Sequence, residues 1–164
     1  MSNITFYELG HYVGGQLISK TFELSDQETF NTERQEWLDE LTEQTGTLCE
    51  EWIVCDYEDI PARFVSEYDL SIDFWEYQEA VNEGLDAVAI EAFINYYGSW
   101  DKEKFEEAYQ GEWDNDEAFA QQILEDCGSI PADLPAYIHI DWTSTARDIM
   151  YDYHTESDHY FRCL

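Results

Sequence analysis

Asp114-Asn115-Asp116, with Glu125 at the twelfth position, opens like a calcium-binding loop, in which oxygen ligands alternate and a glutamate closes the set. Ala118 stands at the fifth ligand position and Phe119 where the sharp turn needs glycine, so both a ligand and the turn are lacking. The segment reads better as a helix cap, from Asp114 or Asn115. Asp152, His154, Glu156, Asp158 and His159 offer a second group of metal-ligating types. Their two histidines lack the i, i+4 spacing of a helical pair, and on a hairpin these positions fall on both faces. A solvated turn is expected there. Carboxylate pairs fit for glycosidase chemistry are so frequent that none stands out. GxSxG, HExxH, P-loop and GxGxxG patterns are absent, so the sequence argues against an enzyme and for no metal or cofactor.

The acids have meaning as a population. Thirty-eight Asp and Glu face seven Lys and Arg in 164 residues, a net charge of −31. Chains this acidic usually lack the apolar mass to fold, yet 16% of this one is aromatic. The acids are not a tail: residues 1–60 hold fourteen, 61–103 ten and 104–164 fourteen. Such an anion is unsuited to binding nucleic acid or an anionic membrane, both of which need basic surfaces. Three uses compete: halophilic solvation, cation buffering, and imitation of nucleic acid. Duplex DNA carries one charge per about 1.7 Å, so 31 charges equal roughly 50 Å of duplex, on the order of 15 base pairs. That magnitude suits imitation, and a two-fold dimer would double it.

The elements that must carry these charges follow from patterning. Ile4–Tyr7 and Gln16–Leu24 read as strands around a Gly14-Gly15 turn. Ser25-Asp26-Gln27-Glu28 reads as a capping box for a helix to Thr45, with Phe30, Trp37, Leu38 and Leu41 as its apolar stripe. Trp52–Cys55 has strand character. Phe74, Tyr77 and Val81 mark one helix, and Leu85, Val88, Ala89, Ala92, Phe93, Tyr96 and Tyr97 mark the core face of another. A helix over 101–109 ends by Gly111, and the next has Ala120, Ile123, Leu124 and Cys127 inward. Tyr137–Trp142 reads as a strand, Ser144–Met150 as a short helix, and 151–163 as a hairpin. Trp100 and Trp113 read as junction packing. The class is α+β. Cys49, Cys55, Cys127 and Cys163 form no CxxC pair and read as reduced, mostly buried thiols. With no leader or membrane span visible, a cytoplasmic protein is expected.

Several segments together resemble the ArdA-type antirestriction proteins of mobile elements. They are Tyr12–Leu17, Glu51–Glu58, Phe105–Asp114, Phe119-Ala120, Asp126–Gly128 and Ala146–Ile149. Lys20, Thr143 and Thr145 depart from that pattern. The resemblance implies an elongated chain of three small domains (1–61, 62–103 and 104–164). It also implies a homodimer joined through the third, near an antirestriction motif comprising Phe105, Ala108, Tyr109, Gly111, Glu112 and Trp113. The implied partner is a type I restriction–modification enzyme, competitively blocked in the DNA channel of its methyltransferase core. A decoy of another DNA-binding protein, such as a nucleoid protein or repressor, is the alternative. The carboxylates expected to stand for phosphates are Glu33, Glu36, Asp39, Glu40 and Glu43; Asp56, Glu58 and Asp59; Glu76, Glu79 and Glu83; and Asp114, Asp116, Glu117, Glu125 and Asp126.

Overall fold

Alternation of outward and inward residues from Asn3 to Glu8 makes β1 (Asn3–Glu8), the centre of the first sheet. The computed structural model describes residues 2–164. It is α+β, with seven α-helices and two three-stranded antiparallel sheets among those residues. The chain divides into two compact units, one ending at Glu79 and one over Ala80–Leu164.

In the first unit a short helix, α1 (Leu9–Val13), leads from β1 to β2 (Ser19–Glu23), ahead of the expected Gly14-Gly15 turn. Gly15, at φ +82°, completes the reversal. Then come α2 (Gln27–Thr45) and β3 (Trp52–Glu58), giving the sheet order β2-β1-β3. All four expected stripe residues of α2 are buried. Its cap is Asp26, one residue later than the capping box starting at Ser25 implied. The Asp26 side chain accepts from the Thr29 amide at 2.8 Å, a bond that holds this carboxyl below its usual range. Phe6, Phe22, Phe30 and Trp37 meet edge-on or tilted with centroids 5.8–6.1 Å apart. A 3-10 turn over Ala62–Phe64 delivers Phe64 against Phe74 and Tyr77 of α3 (Asp73–Asn82).

The second unit contains α4 (Ala87–Tyr97), α5 (Lys102–Ala108), β4 (Tyr109–Glu112), α6 (Asp116–Asp126), α7 (Trp142–Ile149), β5 (Tyr153–Glu156) and β6 (His159–Arg162). Its sheet order is β4-β6-β5. The buried face of α4 holds Ala89, Ile90, Ala92, Phe93 and Ile94, while Val88 and Tyr96 are exposed. The expected face was therefore rotated, because a helix this apolar offers more than one candidate stripe. The chain leaves the helical path at Tyr109, which begins β4. Tyr137–Trp142 is not a strand; its first residues are exposed loop and Trp142 opens α7, capped by Asp141. β5 and β6 close through Ser157 and Asp158, both at positive φ, as a two-residue hairpin turn requires. Trp100 and Trp113 are half-buried junction residues, as expected. Only Cys49 of the four thiols is buried. Cys55, Cys127 and Cys163 are exposed, so apolar mass in the sequence was no guide to their placement.

The hairpin histidines are packed rather than solvated. His159 is buried, and its Nδ1 bonds the Tyr109 hydroxyl at 3.0 Å. The His154 ring stacks on Tyr96 at 3.4 Å and on Phe161 at 5.2 Å, and neither of its nitrogens has a hydrogen-bond partner. Burial pushes the His154 imidazole below its ordinary value, with nearby Glu156 opposing. The unfolded chain therefore protonates at this residue first as pH falls. The His154 contribution to stability is full above about pH 6.5 and is lost below it, down through the lower folded value. His154→Phe, which keeps the stack, is expected to flatten the fall in melting temperature between about pH 7 and 5. Thermal melts of both proteins across that range check it.

Candidate functional site

The longest row of carboxylates lies on α2. Glu33, Glu36, Glu40 and Glu43 recur at i, i+3, i+7 and i+10 on one face, with Asp39 at its flank. All five are exposed, opposite the buried stripe. Ten residues of helix rise about 15 Å, so the five charges fall at about one per 3–4 Å. A single strand of duplex DNA presents one phosphate per about 3.4 Å. The only base on this helix, Arg34, does not reach the acidic face. Its guanidinium lies 4.0 Å from the Trp52 ring centre and 4.7 Å from that of Phe30, and it donates to Asp69 at 2.8 Å.

A bulge arranges the second group. Phe6 pairs with Val54 and Thr5 with Asp56, leaving Cys55 unmatched. Without the extra residue, Asp56 and Glu58 would continue the inward phase of Trp52 and Val54. The bulge shifts them outward with Thr5 and Asn3, about 7 Å apart along the strand. Both are exposed, as is Asp59, which sits at φ +54°. Glu58 accepts from the Asn3 side chain at 3.0 Å.

The remaining acids divide. Glu76 and Glu79 are exposed one turn apart on α3. Glu83, just past that helix, is ion-paired with Lys102. Asp114 is exposed ahead of the true cap, Asn115. Asp116 accepts from the Tyr160 hydroxyl at 2.7 Å; burial and then this bond push the Tyr160 phenol up to about 12. Glu117 is half-buried and accepts from Thr143 at 3.2 Å. Glu125 and Asp126 are exposed, each bonded by the glutamine four residues earlier.

The Phe105–Trp113 segment is built into the core of its unit. Phe105 and Ala108 are buried, and Tyr109 stacks on Phe105 at 4.9 Å. Gly111 takes φ +97°; a Cβ there would lie 3.4 Å from Nε1 of Trp113, whose N–H donates to the Gln110 carbonyl at 2.9 Å. Glu112 alone of the motif residues is exposed.

An antirestriction protein model, ArdA, matches residues 7–162. The chain belongs to the ArdA antirestriction family. Comparison with curated proteins gives no match. In this ArdA member no helix among the described residues is long and apolar enough to cross a membrane. Among the described residues, Asp152, His154, Glu156, Asp158 and His159 of the hairpin do not bring their ligand atoms together. Glu8, His11 and Cys49 do, a grouping whose only sequence signal was Glu-x-x-His, with the cysteine 38 residues further on.

Four helices of this ArdA chain end on acids with no base in the last turn. The acids are Glu43 in α2, Glu79 in α3, Glu106 and Glu107 in α5, and Glu125 and Asp126 in α6. A negative helix end repels anions, so these placements cost stability. Glu43→Gln and Glu79→Gln are each expected to stabilise the protein by about 0.3–1 kcal/mol at low ionic strength, the gain shrinking with salt. Denaturant unfolding at two salt concentrations checks this.

Proposed function

We propose that this protein inhibits type I restriction–modification enzymes as a decoy, its carboxylates occupying the positions of phosphates in the DNA channel of the methyltransferase core. It catalyses no reaction. The row on α2 carries this reading: five exposed acids at about the line density of one DNA strand, with the helix's only base turned into packing. The outward acids of β3, α3 and α6 extend the same kind of surface. Affinity arises from many screened contacts, each worth about 0–1 kcal/mol, rather than from one anchor. Arg34, Lys102, Lys104 and Arg147 pair with this chain's own carboxylates, which further limits exposed positive charge.

With this function goes a lengthwise series of three segments, 1–61, 62–103 and 104–164, and a homodimer through the last. Exposed Tyr137, Ile138 and Tyr151 in that last segment supply apolar surface for a second copy to cover. Small-angle scattering and sedimentation test the shape and the pairing.

Direct binding to a methyltransferase core is expected to weaken by about 10³-fold or more between about 50 and 200 mM salt, as for a ligand making several phosphate-like contacts. Any single change among Glu33, Glu36, Asp39, Glu40 and Glu43 to its amide leaves DNA displacement nearly intact, while changing all five abolishes it. Salt-independent binding, or loss of displacement from one amide, overturns the mechanism.

A further inference from the structure

The junction of β1 and α1 gathers three side chains that the carboxylate surface does not use. Glu8 and Cys49 are buried, and the His11 side chain is 12% exposed. His11 Nδ1 lies 2.6 Å from Glu8 Oε2 and 3.9 Å from Cys49 Sγ, and the three donor atoms all lie within 4.8 Å of one another. Local structure makes the arrangement. Glu8 ends β1 and caps α1, accepting from the Gly10 amide at 3.1 Å and the His11 amide at 2.7 Å. Three residues on, the His11 ring folds back over the same carboxylate. Cys49 is brought in by its amide, which donates to Thr42 Oγ1 at 2.9 Å.

A cysteine, histidine and glutamate could instead form a nucleophile relay. A relay uses opposite ring nitrogens, one toward the thiol and one toward the carboxylate. Here the same nitrogen, Nδ1, faces both. Three donors converging on one point suit a cation better than a relayed proton.

We propose that Glu8 Oε2, His11 Nδ1 and Cys49 Sγ bind a zinc ion, with water as the fourth ligand. The water enters from an adjoining groove of about 370 Å³, lined by Glu8, Gly10, His11, Gly14, Gln16 and Thr47 among others. Zinc bonds of about 2.0–2.3 Å separate tetrahedral ligands by roughly 3.3–3.9 Å. The sulfur–nitrogen distance of 3.9 Å lies at the upper end of that range, and the oxygen–nitrogen contact of 2.6 Å must open by about 0.7 Å or more. Thiolate and carboxylate together neutralise the dication, so the filled site is a neutral buried group. The Gly10 amide on Oε1 and the His11 amide on Oε2 fix the orientation of the carboxylate, as outer-shell donors do in metal sites. The thiolate selects zinc over magnesium and calcium, which the surface carboxylates attract only as diffuse counterions. The site ties the end of β1 to the loop after α2.

Titration of the metal-free protein with cobalt(II), read by absorbance, tests the proposal. The expected result is one equivalent bound per chain, with a near-ultraviolet thiolate-to-cobalt band and the visible bands of tetrahedral cobalt, both displaced by zinc. Cys49→Ser removes the thiolate band, whereas Cys55→Ser, Cys127→Ser and Cys163→Ser keep it. His11→Gln weakens zinc binding by about tenfold or more, measured against a chromophoric chelator. Cobalt held by surface carboxylates alone gives no thiolate band. Absence of that band in the wild-type protein, or its persistence in Cys49→Ser, overturns the proposal, and the wild-type spectrum decides it even if a variant fails to fold.

Discussion

Mutual repulsion among thirty-eight carboxylates is the force against which every element of this fold is assembled. Aromatic burial supplies the opposing term. In the first unit Phe6, Phe22, Phe30 and Trp37 form one ring cluster between sheet and helix. In the second, Phe93, Phe105, Tyr109 and Phe161 form another, and Phe119 packs on Tyr160 across the other face of β6. Rings bury more area per residue than aliphatic side chains, so fewer core positions are needed and more surface positions remain for acids. Two of the scarce bases lie against aromatic rings. Arg34 sits over Trp52 and Phe30, Lys20 lies 5.2 Å from the Phe22 ring centre, and neither breaks up the acidic faces.

Much of the first unit was legible because its signals were local. The α2 stripe at positions 30, 37, 38 and 41 has one helical solution, and Gly46, at φ +67°, stops it. The cap could be misplaced by one residue because Ser25 and Asp26 are both good cap types; only the Asp26–Thr29 bond decides between them. The face of α4 was legible only in part: Ala89, Ala92 and Phe93 are buried as expected, but Val88, Ala89, Ile90, Ala92, Phe93 and Ile94 span about two thirds of the circumference and leave the centre of the face open. Tyr137–Trp142 has strand composition, but a strand also needs an open partner edge, which composition does not encode.

The candidate surface was legible in kind and less so in detail. Acids at helical spacing on α2 could be placed facing water from the stripe alone. The bulge at Cys55, which turns Asp56 and Glu58 outward, arises from pairing with β1 and leaves no mark in the residues of β3. Asp116 and Glu117 look like their neighbours in sequence, yet Tyr160 and Thr143, distant along the chain, engage them in hydrogen bonds. Long-range interactions of that kind also hide the convergence of Glu8, His11 and Cys49.

Helix ends give the acid placement its meaning. If the charge served solvation alone, acids would gather at helix N-termini, where the dipole makes them favourable, and avoid the last turns. The acids at the ends of α2, α3, α5 and α6 do not follow that rule. On the decoy function proposed above, each helix keeps its negative row through its last turn, because a row that stopped a turn early would leave part of a cationic groove unmatched. On that view the stability lost at each helix end is the counterpart of reach, and the aromatic clusters set how much of that loss the fold can bear.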